Sequence, residues 1–415
     1  MMLQVSAPLY FKSSLPVELP LSKSIANRML IMRYLANSTL PLELSDSNDT
    51  RILQKLLHNI GMPHGEGIYN AEDAGTVFRF LAAVLAITPG EHLLTGTARM
   101  LERPIKPLVD ALRSLDANIK YQKKQGYPPL LIKGGKLTGH HLKLDSSLSS
   151  QFGSALMMIA PGLEHGLEME LLGEVVSAPY LNLTATLMNM QGQDVKIKDN
   201  IISVVPGPLF FTHPFSEGDW SSASYWFGLA ALVPDIEVVF ENLNKNSPQG
   251  DRCLLQLFEP LGIVSNWQDK RLHIIKKHSG VSHFEADFTA CPDLLPAVAV
   301  SCAGMGVSAS LTGVSTLRLK ESDRVAALCD NLNRLGFHAE NLTNELKILP
   351  VQNNEDRKLI VNTFSDHRMA MAFALLGTVN RNIIIDTPGV VEKSYPKFWQ
   401  HLGQAGFDLK EIHSL

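Results

Sequence analysis

Cationic side chains stand at recurring places in the chain: Lys23 and Arg28, Arg79, Arg99 and Arg103, Lys320 and Arg324, Arg368, and Lys393. Most lie within a turn of the start of an apolar run. An arginine fork grips phosphate or carboxylate oxygens bidentately, and lysine supplies a point charge. Carboxylates are interspersed with them at Asp219, Asp293, Glu321 and Asp366. Such a mixture suits binding a phosphate while moving protons. Arg79 is the most telling cation. It lies in the apolar run Val77 to Ile87, where a guanidinium wants an anionic partner. Arg113, Lys123 and Lys124 read instead as solvated surface charge.

The elements that position these residues repeat. An Ala-rich, almost wholly apolar helical pattern begins near Ser22, Ala74, Ser149, Ser221, Cys291 and Asp366, at intervals of 52, 75, 72, 70 and 75 residues. A helix apolar on nearly all sides is buried inside a domain. A more amphipathic helix follows most copies: Asp49–Gly61, Arg103–Ala117, Gly250–Gly262, Glu321–Gly336 and Glu392–Gly406. Short β-rich runs lie between, such as Leu130–Ile132, Ile201–Val205 and Ile383–Ile385. The reading is an α/β chain of six units in two similar lobes, three units per lobe, joined near Gly207–Gly218. A helix start presents free N–H groups and partial positive charge. Six such starts converging on one cleft would bind anions without a basic surface overall.

Composition agrees with that picture. At about 150 residues per domain, 415 residues make two or three domains. Hydrophobic residues are 45% and charged residues 19%, which excludes a disordered chain. The net charge of −4 excludes a general polyanion binder, so no nucleic-acid partner is expected. Cys253, Cys291, Cys302 and Cys329 form no C-x-x-C pair, so reduced thiols in the cytoplasm are expected rather than a disulfide scaffold or a metal site. Met1 to Pro20 lacks the apolar core of a signal peptide. Leu294 to Val307 is too short and interrupted to span a bilayer, so no membrane association is expected. Phosphate-loop, dinucleotide-binding, nucleophile-elbow and zinc-protease motifs are absent. His140–His141 reads as solvated. Asp366–His367 reads as a helix start rather than part of a hydrolase triad.

Taken in order, several segments resemble the EPSP synthase family of enolpyruvyl transferases. They are LPLSKSIANR at 19–28, AGTVFR at 74–79, RMLERP at 99–104, SSQF at 149–152 and EGDWSSASY at 217–225. PD at 292–293, RLKESDR at 318–324, DHRMAMAF at 366–373 and EKSYP at 392–396 complete the set. The resemblance implies a two-lobed inverse α/β barrel of six βαβαββ repeats, with the buried helices' N-termini facing an inter-lobe cleft that holds the active site. It implies lobes of 19–217 and of 1–18 with 218–415, the N-terminal strand crossing into the C-terminal lobe. The implied reaction joins shikimate 3-phosphate and phosphoenolpyruvate, small molecules acted on by a monomer with no metal or organic cofactor.

Carried over position by position, the resemblance gives Lys23, Arg103, Arg324, Arg368 and Lys393, with the backbone of Gly75, to phosphoenolpyruvate. It gives Ser24, Arg28, Ser149, Ser150, Ser177, Tyr180 and Lys320 to shikimate 3-phosphate, and places Gln151 between the two. Asp293 is the implied base, Glu321 the implied proton donor, and Lys23 assists. Four positions depart from the family pattern: Leu21, the pair Glu72–Asp73, Trp220 and Thr316. Two alternatives accompany this reading. One is the UDP-N-acetylglucosamine enolpyruvyl transferase family, against which SKSIANR and the lack of any Cys before residue 253 argue. The other is a non-catalytic anion-binding homologue.

Overall fold

The computed structural model describes residues 1–60, 67–277, 280–349, 359–379 and 383–412. The chain divides into two compact units, Ser22–Ser216 and a second made of Met1–Leu21 with Glu217–Leu415.

One pattern recurs in both. In the first unit, strand Ile68–Asn70, helix Gly75–Ile87, strand Gly90–Thr95, helix Lys106–Ser114 and strands Asn118–Tyr121 and Leu130–Gly134 make one βαβαββ copy. Its first two strands pair parallel and its last two antiparallel. Parallel neighbours need a crossover, which the buried helix supplies. His141–Asp145, Ser150–Ile159, Leu167–Leu172, Ala178–Met190, Val195–Lys198 and Ile201–Val204 repeat the order and the pairing.

The second unit holds three copies, two of which take a strand from the chain's N-terminus. Ser14–Val17 pairs parallel with Glu237–Phe240. Met2–Ser6 lies between Ile383–Ile385 and Asp408–Ile412, antiparallel to both. Five four-stranded sheets result among the described residues. Among the described residues, the remaining copy shows only its helices, Lys23–Leu35 and Asn48–Asn59; residues 36–47 form no strand. That segment contains Pro41, three serines and Asn37, residues that favour turns over ladders.

Six buried helices form the two cores. Gly75–Ile87, Ser150–Ile159 and Lys23–Leu35 pack on one another in the first unit, and Trp220–Leu232, Leu295–Met305 and His367–Ala374 do so in the second. Side chains in all six are buried around most of the helix, so helix position is set by packing. Gly228 shows how tight this is. A Cβ there would sit 2.7 Å from both Leu375 Cδ1 and Ser301 Oγ.

The outer helices are shorter than their sequence patterns. The expected helix Arg103–Ala117 is Lys106–Ser114, Gly250–Gly262 is a turn followed by Leu254–Phe258, and Glu392–Gly406 keeps only Phe398–Gln404. Prolines explain these limits: Pro104 precedes the first, Pro260 closes the second and Pro396 separates the third from the preceding turn. The expected helix Glu321–Gly336 begins at Arg324, where the Asp323 side chain accepts from Ala326 N at 3.0 Å.

The N-terminal segment is held to the second unit by Asn242. Its side chain accepts from Leu19 N at 3.1 Å and donates to the Leu19 carbonyl at 2.7 Å, while its own carbonyl accepts from Gly218 N at 2.8 Å. Asn242→Ala leaves two backbone groups of Leu19 without partners and should cost about 1–3 kcal/mol. Urea unfolding monitored by circular dichroism measures the loss.

Candidate active site

In the first unit, two of the three buried-helix starts carry cations and lack side-chain caps. Helix Lys23–Leu35 follows Ser22, whose side chain makes no capping bond, and helix Gly75–Ile87 follows Ala74, which has no capping group. Ser149 caps helix Ser150–Ile159 through Gln151 N at 3.3 Å. Free N–H groups at the first two starts are therefore available to an anion.

The side chains tie these starts together. The Gln151 amide accepts from Arg79 at 2.8 Å and donates to Thr76 Oγ1 at 2.9 Å, linking the second start to the third. Arg79 lies over the Phe152 ring, its carbon 5.3 Å from the centroid. Arg103 is buried and donates to the Asp73 carbonyl at 3.4 Å. A Cβ on Gly75 would sit 2.5 Å from an Arg79 nitrogen and 2.6 and 2.7 Å from two Arg103 nitrogens. Two guanidiniums thus close on one helix start, and glycine there leaves them room. Lys23 donates to Asp49 at 3.0 Å, and that carboxylate is almost wholly buried.

Arg28 behaves differently from the other cations. It is 2% exposed, and its guanidinium donates to Thr184 Oγ1 at 2.7 Å, to Ser154 Oγ at 3.1 Å, and to the carbonyls of Ser24 at 2.9 Å and Tyr180 at 3.3 Å. Burial lowers its pKa to about 10. Arg28 therefore fixes the backbone beside Ser24 and Tyr180. Ser150 and Ser177 are buried close to their helix starts, Ser177 with φ of 56° just before Pro179 turns the chain into helix Ala178–Met190.

The second unit has the opposite arrangement. Two of its three buried-helix starts are capped by carboxylates. Asp219 accepts from Ser222 N at 3.0 Å, and Asp366 accepts from Arg368 N at 2.9 Å. Arg324, 1% exposed, is the centre. Its guanidinium donates to Asp366 and Glu321 at 2.8 Å each and to Asp293 at 2.7 Å. Arg368 donates to the other Asp293 oxygen at 2.8 Å and to the Asp293 carbonyl at 3.1 Å. Lys320 stands 4.0 Å from Asp293, and Lys393 stands 3.8 Å from Glu321. Four cations face three carboxylates. Burial would raise the pKa of Asp293, but Arg368, Lys320 and Arg324 outweigh it and hold the carboxyl well below the usual carboxylate range. Burial would lower the pKa of Arg324, but Asp366, Glu321 and Asp293 hold it above the ordinary guanidinium value.

The residues singled out from the sequence are grouped around Arg28, Gly75 and Lys23 in the first unit and around Arg324 in the second. Lys23, Ser24, Arg28, Gly75, Arg103, Ser149, Ser150, Gln151, Ser177 and Tyr180 belong to the first, and Asp293, Lys320, Glu321, Arg324, Arg368 and Lys393 to the second. Sequence reasoning missed Asp49, Ser154 and Thr184. Asp49 follows the N-cap Ser47 as an ordinary first-turn acid, and nothing in the spacing ties it to Lys23.

The departing residues fall largely outside these clusters. Trp220 is fully buried, its ring 6.5 Å from that of Trp267. Glu72 is exposed with φ of 51°, and its carbonyl accepts from Thr97 N. Leu21 bridges to Gly218, and Thr316 is buried in the turn Ser315–Leu319. Gly75→Ala should push Arg79 and Arg103 apart and weaken binding of a phosphate-bearing anion at least about tenfold, the loss of one charge-assisted hydrogen bond. Titration calorimetry on the variant and the parent checks this.

The family model described as EPSP synthase (3-phosphoshikimate 1-carboxyvinyltransferase) matches residues 62–402. A 3-phosphoshikimate 1-carboxyvinyltransferase of Bacteroides fragilis is 40% identical over 410 residues, covering 98% of each chain. One from Haemophilus influenzae is 33% identical, covering 92% of this chain and 94% of its own. In fold, the chain is similar to the EPSP synthase of Acinetobacter baumannii, with a TM-score of 0.76 at 21% identity over 99% of this chain and 100% of that one.

Proposed function

The chain belongs to the EPSP synthase (3-phosphoshikimate 1-carboxyvinyltransferase) family, and from that premise we propose how its residues transfer the enolpyruvyl group of phosphoenolpyruvate to the 5-hydroxyl of shikimate 3-phosphate, a step of aromatic amino-acid biosynthesis. The observation that carries the reading is the convergence of Arg324 and Arg368 on Asp293, with Glu321 on the same Arg324 guanidinium.

The chemistry is addition followed by elimination. The 5-hydroxyl oxygen bonds to C2 of phosphoenolpyruvate, the hydroxyl loses its proton and C3 gains one. The tetrahedral adduct then loses phosphate and a C3 proton, which restores the double bond. Asp293 is the base toward the hydroxyl and Glu321 the donor toward C3, with Lys23 assisting. The phosphate and carboxylate of phosphoenolpyruvate go to Lys23, Arg103, Arg324, Arg368, Lys393 and the Gly75 backbone. Ser24, Arg28, Ser149, Ser150, Ser177, Tyr180 and Lys320 serve shikimate 3-phosphate, and Gln151 lies toward both. Arg28 does so by holding the backbone beside Ser24.

Without substrate, Asp293 is a weak base because Arg324 and Arg368 hold its charge. An arriving dianion competes for those two guanidiniums. Each bond it takes from Asp293 raises the proton affinity of that carboxylate. Catalytic basicity therefore develops only when the donor is in place. Asp49 serves Lys23 in the same way, holding the ammonium until an anion claims it. The reading includes a monomer working in the cytoplasm on small molecules.

Phosphate release from purified protein tests this, with phosphoenolpyruvate and shikimate 3-phosphate each omitted in turn. Release should require both. Folded protein that releases none contradicts the assignment, and a further arm with UDP-N-acetylglucosamine identifies the sister acceptor. Arg368→Ala should lower kcat about 100- to 1,000-fold, as loss of a charge-stabilising donor does elsewhere, with an unchanged far-ultraviolet spectrum.

A further inference from the structure

Asp251 plays no part in the mechanism above, yet it is 4% exposed. It lies in the turn Gly250–Cys253, which packs on the start of helix Trp220–Leu232, as does the turn Pro292–Leu294 that carries Asp293. The Ser221 hydroxyl, in the first turn of that helix, donates to the Asp251 carboxylate. The preceding Gln249 pins the turn in place. Its amide donates to Glu217 at 2.6 Å and to the Gly218 carbonyl at 2.9 Å, and its oxygen accepts from Trp220 N at 3.3 Å. The turn is therefore fixed by the bonds of Gln249, and the Asp251 carboxylate by the Ser221 hydroxyl.

The charged and titratable groups around Asp251 come from four elements. Asp219 stands at the helix start, Asp293 and Cys291 on the neighbouring turn, Arg368 on helix His367–Ala374 and Cys253 on its own turn. Asp251 and Asp293 thus share the field of one arginine, and that arginine already pairs with Asp293.

We propose that Asp251 is a positioning residue of the transfer reaction, whose ionised carboxylate, held by Ser221 beside Asp293 and Arg368, raises the basicity of Asp293. A second negative charge opposes that of Asp293, and it draws on the guanidinium that otherwise quiets it. Both effects favour proton uptake by Asp293. The inference rests on the transfer reaction assigned above.

The ionisation falls in a useful range. Burial first, then the charge of Asp293, raises the Asp251 pKa, against the Ser221 hydrogen bond and Arg368, and the result is about 7. Turnover should therefore increase as pH rises through neutrality. Stability should run the other way. A carboxyl whose pKa is higher folded than unfolded favours the folded state while protonated, and that contribution is lost as pH rises from the unfolded value, about 4, to about 7. A residue kept only for structure would not pair lower stability with higher activity.

The test uses Asp251→Asn, which keeps an acceptor for Ser221, with kcat, both KM values and melting temperature measured from pH 5 to pH 9. Parent protein that releases phosphate only with both substrates validates the underlying reaction, and its failure would be a failure of that reaction rather than of Asp251. Given that activity, D251N should lose the rise in kcat across neutrality and fall about tenfold at pH 8, with KM little changed. Its melting temperature relative to the parent should climb between pH 5 and pH 8. Asp251→Glu should restore part of the pH dependence. If D251N does not fold, Ser221→Ala replaces it. Loss of the hydroxyl should move the rise in kcat to higher pH. An unchanged pH profile in whichever variant folds, or a loss confined to KM, would overturn the proposal.

Discussion

The second unit is organised around one buried guanidinium. Arg324 has no exposed face of consequence, so its charge is tolerable only if carboxylates surround it. Asp366, Glu321 and Asp293 do so, and each comes from a different turn: a helix cap, the segment just before helix Arg324–Arg334 and the turn that opens helix Leu295–Met305. The three buried helices must hold their starts together for this to work. Gly228, which lets those helices approach closely, is therefore as much a part of the site as the charged groups. Arg368, Lys320 and Lys393 add positive charge beside these carboxylates.

The two units use the same repeat to opposite ends. In the first, helix starts at Lys23 and Gly75 lack side-chain caps, and guanidiniums crowd one of them. In the second, aspartates cap two of the three starts. An open start attracts phosphate. The Asp366 cap instead holds Arg324, which gathers the carboxylates of Asp293 and Glu321.

Much of this was legible in the sequence because both signals are local. Small or polar residues before apolar runs mark the helix starts, and five of the six fall within two residues of the observed caps or first turns. The sixth, near Cys291, leads into a short turn, Pro292–Leu294, before helix Leu295–Met305. Cations near those starts were legible for the same reason. Pairings between distant segments were not. Nothing at Asp49 announces Lys23, and nothing at Asp251 announces Ser221, because each pair is made by tertiary packing. The outer helices were overextended because apolar spacing continues past prolines that stop the backbone. The sheetless first copy also escaped, since its buried helix has the same composition as the others.

The claim on which the account depends most is that Asp293 is held ionised by Arg324 and Arg368 until a ligand takes them. Carbon-13 carboxyl resonances, assigned to Asp293 by their loss in Asp293→Asn, can be followed against pH in the unliganded protein. The account predicts that the Asp293 resonance does not titrate between about pH 8 and about pH 4. A midpoint at or above the ordinary aspartate value, about 3.9, would contradict it.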